Sequence, residues 1–302
     1  MTSYRRKKAG RGRRPTSEGE VLLVDNGSVQ PAATRQLRKI AQGLSRRLGQ
    51  NVAPVSLLHS DKVPANKLGG RKAEILNAAV RRCLARGVRE FVIVPLFLGR
   101  SRALTEFIPA LIGEWRRDSS ELKVHLAAPL AARGDDRLAR ILETQVRAKL
   151  TRGFLRRRRA RVALVDHGSP VKLVTQVRNR LAKQLRRLLG ATVVGVKACS
   201  MERRPGAAYD FNEPLLETLL ATPPWNSGPV VVAQLFLLRG RHAGPDGDIA
   251  TICARARDNS PALRTVRTKL LGEDPTLIAI LADRFRAAKI ADRRSQIADR
   301  RS

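Results

Sequence analysis

Short apolar, β-branched runs alternate along this chain with longer stretches whose apolar residues recur at helical spacing. In the first half the pattern predicts strands over 20–25, 52–58, 90–95 and 122–126, and helices over 32–48, 70–86, 104–117 and 135–150. The order then repeats, with strands over 161–166, 192–198, 229–235 and 264–267 and helices over 171–190, 212–221, 247–257 and 275–290. Strands and helices that alternate in this way read as parallel βαβ units. Within 171–190, Val171, Val174, Val177, Leu181 and Leu185 share one face, which is therefore expected to be buried.

The halves are also written alike. VLLVDNGS at 21–28 returns as VALVDHGS at 162–169, and LFLGRSRA at 96–103 returns as LFLLRGRH at 235–242. At the spacing that sets Asn26 on His167, Asp61 falls on Glu202 and Pro64 on Pro205. At the spacing that sets Ala103 on His242, Leu138 falls on Leu277. The chain thus reads as a duplicated α/β unit in which each repeated phrase keeps its histidine in the second copy only. The junction is expected in the Arg-rich segment 153–160, between domains over 18–152 and 161–290, with a basic disordered tail over 1–17 and a low-complexity tail over 291–302.

Composition narrows the classes. A chain of 302 residues, 43% hydrophobic, can bury two cores. Its three cysteines, Cys83, Cys199 and Cys253, form no CxxC, which argues against a disulfide framework or a zinc ribbon. No apolar run is long enough to cross a membrane. The basic start leads into no apolar segment, so a cytoplasmic protein without a secretory signal is expected. The formal charge of +33 invites a nucleic-acid reading, but much of the excess sits in the two tails and the Arg-rich run. Aromatic residues make up only 4%, few for a protein that stacks on bases. Attraction of a polyanionic small molecule is the better use of the charge.

Parallel sheets bind ligands beyond the carboxyl ends of their strands. Three residues collect there in the second half: His167 after VALVD, Glu202 after VVGVKACSM, and His242 after the strand that ends in LFL. Taken singly, each is as well explained as a hydrogen-bonded or exposed loop residue. Together they make a ligand set for a divalent transition metal, and groups able to take up protons near neutral pH. His59 beside Asp61 is a weaker candidate, and His125, within a strand, reads as structural. There is no phosphate loop, no GxGxxG after the first strand and no nucleophile elbow.

DHGSP at 166–170, SMERRPGAAYDFNEPLLE at 200–217, LFLLRGRH at 235–242 with DI at 248–249, and LLGEDPTL at 270–277 resemble the sirohydrochlorin chelatases of the CbiX type. The first half resembles them more faintly, through DNGS and VPLFLGRSRALTEFIPAL. The resemblance implies a chelatase-like α/β fold of two similar domains, each a four-stranded parallel sheet flanked by helices, facing each other across a cleft. It implies insertion of cobalt or ferrous iron into sirohydrochlorin, for cobalamin or sirohaem, without nucleotide hydrolysis and with no cofactor beyond the metal substrate. His167 and His242 would then bind metal and accept protons, with Glu202 as a third group. Arg203, Arg204, Arg239 and Arg241, faced by Arg100 and Arg102, would meet the carboxylates of the tetrapyrrole. A monomer with two pseudo-symmetric domains is expected, with the chemistry in the second. A tetrapyrrole- or metal-binding protein without turnover is the alternative, because Asn26 and Ala103 replace the histidines of the first half; a nucleic-acid-binding protein is a third reading.

Overall fold

The computed structural model describes residues 19–155 and 158–299. The segment 1–17 and part of the Arg-rich run therefore lie outside the described residues. The first half forms β1 (Glu20–Asp25), α1 (Pro31–Leu48), β2 (Val52–Ser56), α2 (Leu76–Ala85), β3 (Glu90–Pro95), α3 (Ile108–Asp118), β4 (Lys123–Leu126) and α4 (Arg137–Arg147). A single turn, α5 (Arg152–Leu155), precedes the second half. That half forms β5 (Arg161–Asp166), α6 (Lys172–Leu189), β6 (Gly195–Ser200), α7 (Leu216–Ala221), β7 (Gly228–Gln234), α8 (Asp248–Asn259), β8 (Leu263–Arg267) and α9 (Thr276–Asp299).

Each half builds a four-stranded sheet with all pairs parallel, ordered β2-β1-β3-β4 and β6-β5-β7-β8. The expected α/β class and sheet count hold. The chain leaves β1 for one neighbour and returns to pair on its other side, so the β1/β3 and β5/β7 boundaries are the topological switch points.

Several element edges differ from expectation for local reasons. The helix expected from 70 begins at Leu76, because Pro64 and the Gly69-Gly70 pair leave only 3₁₀ turns at Ser60–Lys62 and Ala65–Leu68. Ahead of α3, residues Ala103–Phe107 form a π turn, with Pro109 next to the seam. The final helix continues to Asp299, past the expected end at 290, so low complexity did not prevent helix formation.

The register corrects the alignment of the repeats. Val52 pairs with Val21, and Val196 pairs with Val162. Leu58 donates its N–H to Asn26 as Glu202 donates to His167, at 3.2 and 3.1 Å. Leu58, not Asp61, therefore occupies the counterpart of Glu202. The slip arises from an added 3₁₀ turn, Gly190–Thr192, between α6 and β6.

The sequence halves are not the spatial lobes either. The last helix of each half packs on the other half: α4 lies against α6 and β7, and α9 against α1, β3 and β4. One core cluster therefore mixes both halves, with Leu138 and Leu142 of α4, Leu181 and Leu185 of α6, Leu37 and Leu44 of α1, and Leu277 and Ile280 of α9. Gly43 lets α1 and α9 approach, since a Cβ there would strike Ile278. Each such buried Leu or Ile contributes about 1.5–3 kcal/mol, so separating the lobes would be costly.

Where the start of α4 meets α9, Asp135 accepts hydrogen bonds from Arg137 and Arg284, both at 2.7 Å, and Arg137 also reaches Asp283 at 2.6 Å. The Arg137 bond holds the Asp135 carboxyl well below the usual carboxylate range. Asp135→Ala should destabilise the protein by about 2 kcal/mol in urea titrations at pH 7. The native contribution is complete above the unfolded pKa and lost as pH falls towards the folded one. The gap between variant and wild type should therefore narrow below about pH 4.

Candidate functional site

β1 and β5 both end on a buried aspartate, Asp25 and Asp166, and both continue into a Gly-Ser turn. Gly27 and Gly168 have φ of +91° and +97°, and an added Cβ would overlap the carbonyl oxygen of Leu58 or Glu202. Only glycine fits that crossing. The crossing lays the loop after β5 on the loop after β6 and brings His167 beside Glu202.

The three expected site residues come together as a chain of contacts. His167 Nε2 lies 3.3 Å from Glu202 Oε1, and its Nδ1 lies 3.2 Å from the Gly168 carbonyl oxygen. The His167 and His242 rings meet edge to face, with centroids 4.6 Å apart. His242 Nδ1 lies 2.5 Å from Asp248 Oδ2, at the start of α8. An ionised Asp248 only accepts, so His242 carries its proton on Nδ1 and leaves the Nε2 lone pair open. With Nδ1–H donated to that carbonyl, the Nε2 lone pair of His167 would face the Glu202 carboxylate. Two acceptors at that distance are matched by a proton or a cation between them. Among the described residues no three His, Cys, Asp or Glu side chains are arranged to hold a metal ion. The arrangement is an open imidazole pair with a carboxylate at either end, not a closed cage.

A buried guanidinium supports this lobe. Arg178 of α6 is 1% exposed and reaches Asp166 Oδ1 at 3.4 Å, the Asn212 carbonyl at 3.1 Å and the Ser200 hydroxyl. Asn212 in turn grips Ser169, accepting from its N–H and donating to its carbonyl, both at 3.0 Å. Burial pushes the Asp166 carboxyl up, and Arg178 and Ser200 oppose that push. In the other lobe Leu37 holds on α1 the place of Arg178 on α6. Asp25 consequently has no cation: burial pushes its pKa up to about 6 against the Ser56 hydroxyl and the Gly27 N–H, and its Oδ1 has no hydrogen-bond partner.

Both switch points open on one cavity of about 450 Å³, lined by Asp25, Asn26 and Ser28 from one lobe and Asp166, His167 and His242 from the other. A second cavity, of about 550 Å³, between α1 and the turn at Gly272 holds neither histidine.

The arginines divide. Arg203 is tied to Glu213 at 2.6 Å and to Asp210 at 3.2 Å. Arg239 pairs with Glu273 and Arg102 with Glu106, at 3.2 and 2.8 Å. Arg204 lies over the Tyr209 ring, Arg241 stands loosely 3.9 Å from Asp248, and Arg100 is exposed. His59 is exposed on a left-handed turn, and His125 lies on β4, 3.9 Å from Glu90. Sequence reasoning did not find Arg178, Asn212, Asp25 or the pairing of Asp248 with His242. The usable signal was an arginine among the apolar positions of α6.

Arg178→Leu should destabilise the fold by about 3–5 kcal/mol, because it leaves Asp166 buried without its counter-ion. Adding Asp166→Asn should restore most of that loss in urea titrations. Asp25→Asn should do the reverse of an ordinary core substitution and stabilise the protein above pH 6, by about 3 kcal/mol at most. A raised acid pKa favours the fold below the unfolded value near 3.8, and that advantage is lost as pH rises through about 6. The gain of the variant over wild type should therefore appear between pH 4 and 6 and level off above.

The sequence model of the CbiX family matches residues 20–149 and 161–288, one match for each repeat. No curated protein matches the sequence. Among solved structures, SirB from Bacillus subtilis with Fe3+ aligns at a TM-score of 0.66 and 15% identity, over 90% of this chain and 95% of that one. The sirohydrochlorin chelatase SirB from Bacillus subtilis subspecies spizizenii in complex with cobalt gives the same values. CbiX, described as the terminal enzyme for biosynthesis of siroheme in denitrifying bacteria, aligns at a TM-score of 0.56 and 18% identity, over 89% and 99%. At such identities these structures speak to the fold. Among the described residues no helix is long and apolar enough to cross a membrane.

Proposed function

The chain belongs to the CbiX family, and we propose that it inserts a divalent metal ion, cobalt or iron, into sirohydrochlorin without nucleotide hydrolysis, on the way to cobalamin or sirohaem. The observation that carries this reading is the open histidine pair on the wall of the inter-lobe cavity, with Asp248 behind one ring and Glu202 against the other. Insertion must bring a metal ion to the macrocycle and remove two N–H protons. His242 and His167 offer Nε2 lone pairs to the ion, and Glu202 offers a place for a proton. An ion that must be handed on is better served by a few ligands and open positions than by a closed structural cage. The substrate is a polycarboxylate, and Arg241, which lines the cavity and stands only loosely by Asp248, is more available to it than Arg203, which is held by two carboxylates. The +33 charge would draw such a ligand in.

Purified protein should accelerate the absorbance change of cobalt insertion into sirohydrochlorin, and His167→Ala and His242→Ala should fall to the uncatalysed background. Asp248→Asn should lose about 10–100-fold, as expected for the partner that orients a metal-facing imidazole. A wild-type rate equal to background would sink the enzymatic reading. Tight sirohydrochlorin binding without insertion would favour the second reading, a non-catalytic tetrapyrrole-binding protein, which Asn26 and Ala103 motivate.

A further inference from the structure

Asp25 lines the cavity from the lobe whose strand ends carry Asn26 and Ala103 where the other has His167 and His242. It is 7% exposed, it closes β1, and its register partner in β2 is Ser56. The equivalent Asp166 is bound by Arg178 and Ser200 and has no further task to offer a ligand. Around Asp25 the serine is kept, but the guanidinium is replaced by Leu37. A carboxylate buried without a cation costs the fold free energy, and apolar neighbours do nothing to reduce that cost. Its unpartnered Oδ1 belongs to a residue in the wall of the cavity that also holds His167 and His242. The other charged or titratable groups on that cavity are Asp166, Arg178 and Arg241; of these, Asp166 and Arg178 are engaged with each other.

We propose that Asp25 is the second proton acceptor of the cleft, taking one pyrrole N–H proton while the histidine lobe takes the other. The assignment rests on the chelatase reading given above. In this step an N–H bond breaks heterolytically and its electron pair stays on nitrogen for the metal. An O–H bond forms on Asp25, directly or through one water, and that proton passes to solvent as product leaves. Two protons out balance a dication in, so no further reactant is needed. A carboxyl group that titrates near 6 is a stronger base than an ordinary aspartate and is ionised at neutral pH.

The test is cobalt insertion into sirohydrochlorin between pH 5 and 8.5 by wild type, Asp25→Asn and Ser56→Ala, with binding of cobalt and of metal-free sirohydrochlorin measured in parallel. Asp25→Asn, a near-isosteric change, should lower kcat by about 100-fold. It should leave KM and both binding constants within about twofold and remove an acid limb near pH 6. Ser56→Ala should stay active with that limb moved to higher pH, because the hydroxyl holds the carboxyl pKa down. If Asp25→Asn matches the wild type in rate, or is slower with an unchanged pH profile, the assignment is overturned and the chelatase reading stands. If the wild type inserts no metal, both are overturned.

Discussion

The geometry of the histidine lobe depends on one buried guanidinium. Arg178 reaches the ends of β5 and β6 through Asp166 and Ser200, and the loop before α7 through the Asn212 carbonyl. Asn212 then fixes Ser169, so the loop that carries His167 is held at its start and at its turn. A charge in such a place is tolerated only because carboxylate, hydroxyl and carbonyl oxygens surround it. The same contacts keep His167 against Glu202, with Gly168 permitting the close passage. The site is thus organised from behind, by residues engaged with one another.

The two lobes solve the same topological problem with different chemistry. Both place an aspartate and a Gly-Ser turn at the switch point, where parallel sheets leave strand ends open. One lobe adds Arg178, His167 and His242; the other has Leu37, Asn26 and Ala103. Exchange of α4 and α9 between the halves ties the lobes into one core, which keeps both walls of the cavity in a fixed relation. An asymmetric site between symmetric scaffolds follows: two imidazoles on one wall and an unpaired carboxylate on the other.

Much of this was legible in the sequence. Apolar runs of strand length and helical periodicity located the eight strands among the described residues and the major helices, because the central strands of a parallel sheet, buried on both faces, write themselves as continuous Val and Leu. The repeated phrase located His167, and the second phrase located His242. What stayed hidden was tertiary. The Gly190–Thr192 turn shifts β6 without disturbing the apolar pattern, so Asp61 looked like the partner of Glu202 where Leu58 is. An amphipathic helix does not say which sheet it will cover, so the exchange of α4 and α9 was invisible. Asp248 was part of a quoted phrase, but its bond to His242 spans a turn that no periodicity describes. Arg203 looked free for a ligand until Asp210 and Glu213 were seen to hold it.

The central claim is that the histidine pair is where the metal meets the protein. X-ray absorption of cobalt bound to the protein, without tetrapyrrole, tests it most directly. Two imidazole nitrogens at about 2.1 Å are expected in the wild type, with one lost in His167→Ala and one in His242→Ala. A shell of oxygen atoms alone, or a spectrum that neither substitution changes, would contradict it.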